Sequence, residues 1–273
     1  MSAVVMALVF LGVLFYLPPG GFLIFISLGT AVGAWEWANL AGISIRYKKA
    51  GYLLLVAALV LLCSWFLAVD THFTLHNEAG LKSLFLIALF WWCVALLWVQ
   101  GYPSSSILWG STPVRLVMGV FVLVPTWIGL LYIRTLDQGS WLVLLLVAAV
   151  SFADIGAYFT GKLIGKRRLA ASVSPGKSWE GFLGGFAASL LLAGVVGHFW
   201  APSDRLWMLL LVAPAALISV LGDLLESMVK RHRGVKDSGL ILPGHGGVLD
   251  RVDGMTAAVP VFAFILLISG MRF

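Results

Sequence analysis

The sequence predicts an all-α fold: a polytopic helical membrane protein of about nine transmembrane helices, with its N-terminus in the cytoplasm. Three observations predict it. Of 273 residues, 61% are hydrophobic and 11% are charged, whereas roughly a quarter of a soluble domain is charged. The mean hydropathy is +1.01. The apolar residues also fall into runs near the length of a membrane span, which needs about 20 mostly apolar residues.

The runs, in order, are 3–17, 21–40, 51–69, 82–100, 116–133, 141–160, 180–199, 206–222 and 256–271. Pro18, Pro19 and Gly20 read as a tight turn between the first two. No charged residue precedes the first run, and it leads directly into the second, so it reads as a membrane helix rather than a cleaved leader. Cys63 and Cys93 lie inside apolar runs and read as small packing residues. With the N-terminus inside, the inner loops are 41–50, 101–115, 161–179 and 222–255. They hold fourteen of the eighteen lysines and arginines. That asymmetry is the positive-inside pattern, and it explains the net charge of +6. No basic helix or aromatic platform stands outside the runs, so the charge does not point to nucleic acid.

Charge is concentrated in one place. Residues 223–253 carry ten of the chain's thirty charged side chains, together with Gly234, Gly239, Gly244, Gly246 and Gly247. Basic groups there can hold phosphate, acids can hold a divalent metal, and glycines allow close backbone approach. Asp223, Ser227 and Lys230 or Arg231 share one face of a helix. Asp250 and Asp253, three residues apart, share another. The glycine-rich stretch before Asp250 can fold it back towards Asp223. Spacing leaves two readings of these acids: ligands of a divalent cation, or salt bridges at helix ends.

A second group lies upstream. Ser151, Asp154, Tyr158 and Lys162 line one face of the sixth run, with Asp154 deep enough to need a partner. A polar contact between helices also explains that face. Lys166, Arg167 and Arg168 read as positive-inside anchors. Lys177 sits in Ser174-Pro175-Gly176-Lys177-Ser178, which reads as a turn opening a helix, where backbone N–H groups favour an anion. This segment is not a P-loop, because Ala171 stands where the first glycine belongs. His72, His76 and Glu78 lie in an outer loop and do not read as a zinc site. His245 reads equally as a phosphate donor or as turn packing.

At these positions the chain resembles the phosphatidate cytidylyltransferase family, also called CDP-diacylglycerol synthases. The resemblance rests on Ser227, Val229, Lys230-Arg231, Lys236-Asp237, Pro243, His245-Gly246-Gly247 and Asp250-Arg251-Val252-Asp253. It extends to Gly222-Asp223-Leu224, Asp154 with Ala157-Tyr158, Ser174-Pro175-Gly176-Lys177 and Ala34-Trp35-Glu36-Trp37. It implies transfer of CMP from CTP to phosphatidic acid, giving CDP-diacylglycerol and pyrophosphate. It also implies Mg²⁺ held by Asp223 and Asp250, room for a second cation such as K⁺, a homodimer, and a multi-pass protein of the inner membrane working at its cytoplasmic face.

The expected mechanism is in-line attack of the lipid phosphate on the α-phosphorus of CTP, with Asp223, Asp250 and Lys236 catalytic. Lys177, Lys230, Arg231, Ser227, His245, Arg251, Asp154 and Ser174 are expected to bind substrate. Residues 1–140 are expected to form scaffold and lipid-facing helices, and 141–273 to carry the site. A transporter, or a cytidylyltransferase for another lipid phosphate, is the alternative.

Overall fold

The computed structural model describes residues 2–200, 205–239, 241 and 246–270, with side chains from Val5 onward. Ten helices account for nearly all of it: α1 (Ser2–Tyr16), α2 (Pro19–Leu40), α3 (Arg46–Phe66), α4 (Glu78–Gln100), α5 (Ser106–Trp109), α6 (Thr112–Thr135), α7 (Gly139–Ile164), α8 (Trp179–Trp200), α9 (Arg205–Arg233) and α10 (Leu249–Ser269). Among the described residues, eight helices are long and apolar enough to cross a membrane. The chain is therefore a multi-pass helical membrane protein. The first run forms a helix of only 15 residues, about 22 Å long at 1.5 Å per residue and short of a ~30 Å hydrocarbon core. Eight long spans and one short apolar helix thus stand where the sequence suggests nine.

Several helices outrun their apolar runs. Hydropathy stops at the first charge, but a helix continues wherever its polar side chains find partners. The eighth run ends at 222, yet α9 continues to Arg233, and α10 begins at Leu249 rather than 256. The connection between them is correspondingly shorter, and Asp250 and Asp253 sit on the first turns of a helix. At 29 residues, α9 is about 44 Å long, so its charged last turns extend past a ~30 Å core.

The fold is not wholly helical. Arg168–Ala170 (β1) and Ser174–Ser178 (β2) form an antiparallel hairpin, with Arg168 opposite Ser178 and Ala170 opposite Ser174. The segment expected as a turn is thus a strand. It does lead into a helix: Ser178 Oγ accepts the Gly181 N–H at 3.1 Å, capping α8.

The back half packs through small residues. Where α7 meets α8, a Cβ on Gly185 would run into the backbone carbonyl of Ala153, so only glycine permits this approach. Ser189 Oγ donates to Ala149 O at 2.8 Å across the same seam. Helix α10 is the central element, buried continuously from Thr256 to Ala263 and packed against α9, α6, α4, α7 and α2. Pro260 removes the N–H that would pair with the Thr256 carbonyl. Thr126 Oγ1 of α6 lies 3.0 Å from that oxygen, the kind of side-chain replacement that lets proline persist in membrane helices.

One end of the bundle gathers the polar groups. Arg115 at the start of α6 donates to Leu40 O at the end of α2 (3.3 Å). Lys49 at the start of α3 reaches Asn39 (3.1 Å). Trp109 packs on His232 at the end of α9, with ring centroids 4.9 Å apart. The opposite end is tied by Ser140 to Leu14 O and by Arg134 to Leu17 O. In the 67–77 loop, Asp70 accepts from His76 and from the His72 and Thr74 N–H groups. The His76 bond, first among these, holds the Asp70 carboxyl below the usual carboxylate range. Glu78 pairs with Lys82, and the Asp70 bonds shape the loop.

Candidate active site

Three structural units meet at the polar end: the β1–β2 hairpin, the last turns of α9 and the first turns of α10. Gly222 brings α9 and α10 together, since a Cβ there would strike the Asp253 carbonyl and lie 3.2 Å from Ala257 Cβ. Asp223 follows immediately. Its carboxylate forms an ion pair with Lys177 of β2 and accepts from Ser227 Oγ at 3.1 Å. Asp253 on α10 lies near enough to Asp223 for their charges to oppose each other. Asp154 of α7 interacts with both Lys177 and Asp223. Its side chain is exposed on the surface of α7. Lys177 thus pairs with Asp223, while the Asp154 and Asp253 carboxylates lie near enough to feel its charge.

A second cluster lies alongside. Asp250, with its side chain only 7% exposed, accepts from Lys230 Nζ at 2.6 Å, Ser238 N at 2.9 Å, Ser238 Oγ at 3.0 Å and Gly247 N at 2.8 Å. Lys230 is buried and also donates to Glu226 at 3.2 Å. Burying two acids and a base is costly unless each is paired, and here the cluster satisfies itself.

Basic side chains frame both clusters. Arg231 Nε donates to Val173 O at 3.3 Å, fastening the hairpin loop to α9. Arg168 donates to the Pro175 carbonyl within the hairpin. Glu180 accepts from the Lys166 and Arg167 N–H groups, fixing the approach to β1. Lys236 and Arg251 are exposed, and Ser174 is half-buried on β2. Beneath the hairpin is a cavity of about 410 Å³, within the ~300–1,000 Å³ range of ligand pockets. Its walls include Val99, Val173, Phe182, Leu217, Val220 and Leu224.

In donor type and charge, Asp223, Asp253 and Asp154 suit a hard cation, because carboxylates offer oxygen ligands with a surplus of negative charge. Asp250 is less available, because four donors already occupy its two oxygens. Among the described residues, no group of three or more acids, histidines or cysteines is drawn in tightly enough to chelate a metal as it stands.

Residues 1–269 match the model of the cytidylyltransferase family. The chain belongs to that family. It is 43% identical to a phosphatidate cytidylyltransferase of Pseudomonas aeruginosa, over 98% of this chain and 96% of the relative. It is 41% identical to one from Haemophilus influenzae, over 97% and 96%. A Bacillus subtilis phosphatidate cytidylyltransferase is 35% identical over 81% of this chain and 82% of its own length. As a cytidylyltransferase, the protein is an enzyme that transfers nucleotidyl groups.

Of the residues picked from the sequence, Asp223, Ser227, Lys177 and Asp154 come together. Asp250 and Lys230 come together in the neighbouring cluster, with Lys230 held by two carboxylates rather than open to ligand. His245 lies outside the described residues. Sequence reasoning gave no role to Glu226, Ser238 or Glu36. Glu226 stands four residues before Lys230, a helix-pair spacing that points to it. Glu36 is a lone acid near the end of an apolar run, which is itself a signal of function.

Proposed function

We propose that this cytidylyltransferase transfers CMP from CTP to phosphatidic acid, releasing pyrophosphate and leaving CDP-diacylglycerol in the membrane. The observation that carries the reading is the Lys177–Asp223 pair set among Asp253 and Asp154. A base suited to phosphate beside acids suited to a cation, at the end of a membrane bundle, supports the reading. The names of its relatives supply the lipid, phosphatidic acid.

The reacting groups are all anionic. The lipid phosphate is largely a dianion near neutral pH, its second pKa being about 6, so it needs no general base to attack the α-phosphorus. The barrier lies in bringing two anions together and releasing a third, so charge neutralisation and alignment supply the catalysis. Lys177 is the cation best placed for this. It leaves Asp223 to meet phosphate when the nucleotide enters. Lys236, Arg251 and Arg231 add positive charge at the rim. Lys230 pairs with Asp250 and orients it. Ser227 orients Asp223, Ser174 offers a hydroxyl on the same strand as Lys177, and Asp154 balances the lysine's charge.

Asp223, with Asp253 or Asp250 from α10, would hold Mg²⁺; bound there, the ion supplies charge neutralisation on the triphosphate. The apolar cavity under the hairpin accepts an acyl chain, so the lipid enters sideways from the bilayer and CTP enters from water. The positive-inside pattern supports a cytoplasmic position for this end, and the family resemblance extends the reading to the inner membrane and a homodimer.

The test uses purified protein with cytidine-labelled CTP, Mg²⁺ and phosphatidic acid. A chloroform-soluble cytidine product is expected. Its absence, with the label remaining in the aqueous phase, defeats the reading.

A further inference from the structure

Helix α10 begins without a cap of its own. Its N-cap residue is Val248, which has no side-chain acceptor, and no side-chain cap bond is made from it. The first N–H groups of a helix still need partners. They find one more than two hundred residues away. Glu36 of α2 is 1% exposed. Its Oε1 accepts the Val248 N–H at 3.0 Å, and its Oε2 accepts the Leu249 N–H at 2.8 Å. The carboxylate thus sits on the positive end of the helix dipole, an arrangement that offsets the cost of burying it.

The same carboxylate reaches the other side of the α9–α10 connection. Ser238 Oγ lies 3.3 Å from Glu36 Oε2 and 3.0 Å from Asp250 Oδ2. A hydroxyl has a single proton, so it serves one of these two carboxylates at a time and couples them. Backbone closes around Glu36 as well. A Cβ on Gly239 would come within 2.5 Å of Glu36 Oε1, and one on Gly247 within 2.6 Å. Asn39, one turn further along α2, donates to Ser238 O at 3.2 Å and is held in turn by Lys49. Ser238 and Gly247 are also the residues whose N–H groups bind Asp250. Among the described residues, the two backbone N–H groups bonded to the Asp250 carboxylate thus belong to residues packed against Glu36.

We infer that Glu36 is a positioning residue for nucleotidyl transfer. From the front half of the chain it fastens both flanks of the α9–α10 connection, and through Ser238 it fixes the direction in which Asp250 presents its carboxylate. Glu36 touches no reacting atom in this role. The inference rests on the functional reading above, but its structural half stands independently. If Glu36 only filled space, a glutamine of the same size would serve. The carboxylate accepts one backbone N–H on each of its two oxygens, however, and an amide offers only one acceptor oxygen and turns an NH₂ towards the other N–H donor.

The experiment compares wild type, Glu36→Gln, Ser238→Ala and the double variant, all full-length in lipid nanodiscs. Amide hydrogen exchange is followed at 246–250, together with kcat and the KM for CTP and for phosphatidic acid. In Glu36→Gln, exchange at Val248 and Leu249 should accelerate. The kcat should fall by about 10²-fold, the scale of a small misplacement in an active site, while the lipid KM stays as it was. The loss from Ser238→Ala should largely vanish on the Glu36→Gln background, because the two act as one unit.

Unchanged exchange at Val248 and Leu249 overturns the inference, whether or not the protein is active. So do independent, multiplying effects of the two substitutions, or a kcat loss matched by the loss of folded protein. Should Glu36→Gln fail to fold, Asn39→Ala perturbs the same Ser238 carbonyl more gently, and wild-type kcat in that variant likewise overturns it. An inactive wild type with accelerated exchange in Glu36→Gln leaves the anchoring intact and strikes the proposed reaction instead.

Discussion

Replacing Asp223 by asparagine separates a catalytic role from a structural one by magnitude. The Asp223 and Lys177 side chains are 32% and 26% exposed, between surface and interior. Exposed pairs contribute roughly 0.2–1 kcal/mol, and breaking a buried pair costs roughly 3–5 kcal/mol, which places the loss here at about 2 kcal/mol. Relief of the repulsion with Asp253 and Asp154 reduces it further. A native state held by about 5–15 kcal/mol remains almost wholly folded after such a loss. Removing a charge that organises the transition state should instead cost about 10²–10³ in kcat. The assay is lipid-linked cytidine formation in nanodiscs, with thermal unfolding measured on the same sample. Near-wild-type unfolding with activity below about one hundredth is the expected pair of results. Retention of more than a tenth of the activity refutes the assignment, and so does a loss of turnover that simply tracks a loss of folded protein.

Other perturbations distinguish the clusters. Lys177→Ala should raise the CTP KM and lower kcat, with Lys177→Arg recovering part of the loss; equal kinetics in all three would leave the lysine a mere partner of Asp223. Asp250→Asn breaks a buried pair with Lys230 and should destabilise the fold by about 3 kcal/mol. Asp253→Asn removes a repelled charge and should leave unfolding near wild type while turnover falls; the reverse pattern in unfolding temperatures would contradict the division of roles. Leu217→Trp places bulk in the cavity under the hairpin and should raise the phosphatidic acid KM about tenfold, or ~1.4 kcal/mol, with the CTP KM unchanged. A lipid KM that does not move would remove the acyl chain from that cavity.

What was legible in the sequence follows from what local patterns encode. Apolar runs located each of the eight long spans, because burial in lipid is a property of the run itself. Their ends were misjudged where polar residues continue a helix: Glu226 and Lys230 pair one turn apart, and Asp250 opens α10 in a cage of N–H donors. The hairpin escaped notice because its strands are short, and its proline, glycine and charges read as a turn. Lys177, expected on a turn, lies on a strand and pairs with Asp223. Lys230 read as a phosphate ligand because spacing cannot say that two acids enclose it. Glu36 was quoted only as part of a resemblance, since its partners lie at the far end of the chain and only folding brings them together.

The most direct test follows two phosphorus labels. With Mg²⁺ and phosphatidic acid, label on the α-phosphorus of CTP should pass into the lipid phase and γ-label should leave as pyrophosphate. Both movements should collapse in Asp223→Asn. Entry of γ-label into lipid, or undiminished α-label transfer without the Asp223 carboxylate, would contradict nucleotidyl transfer at this site.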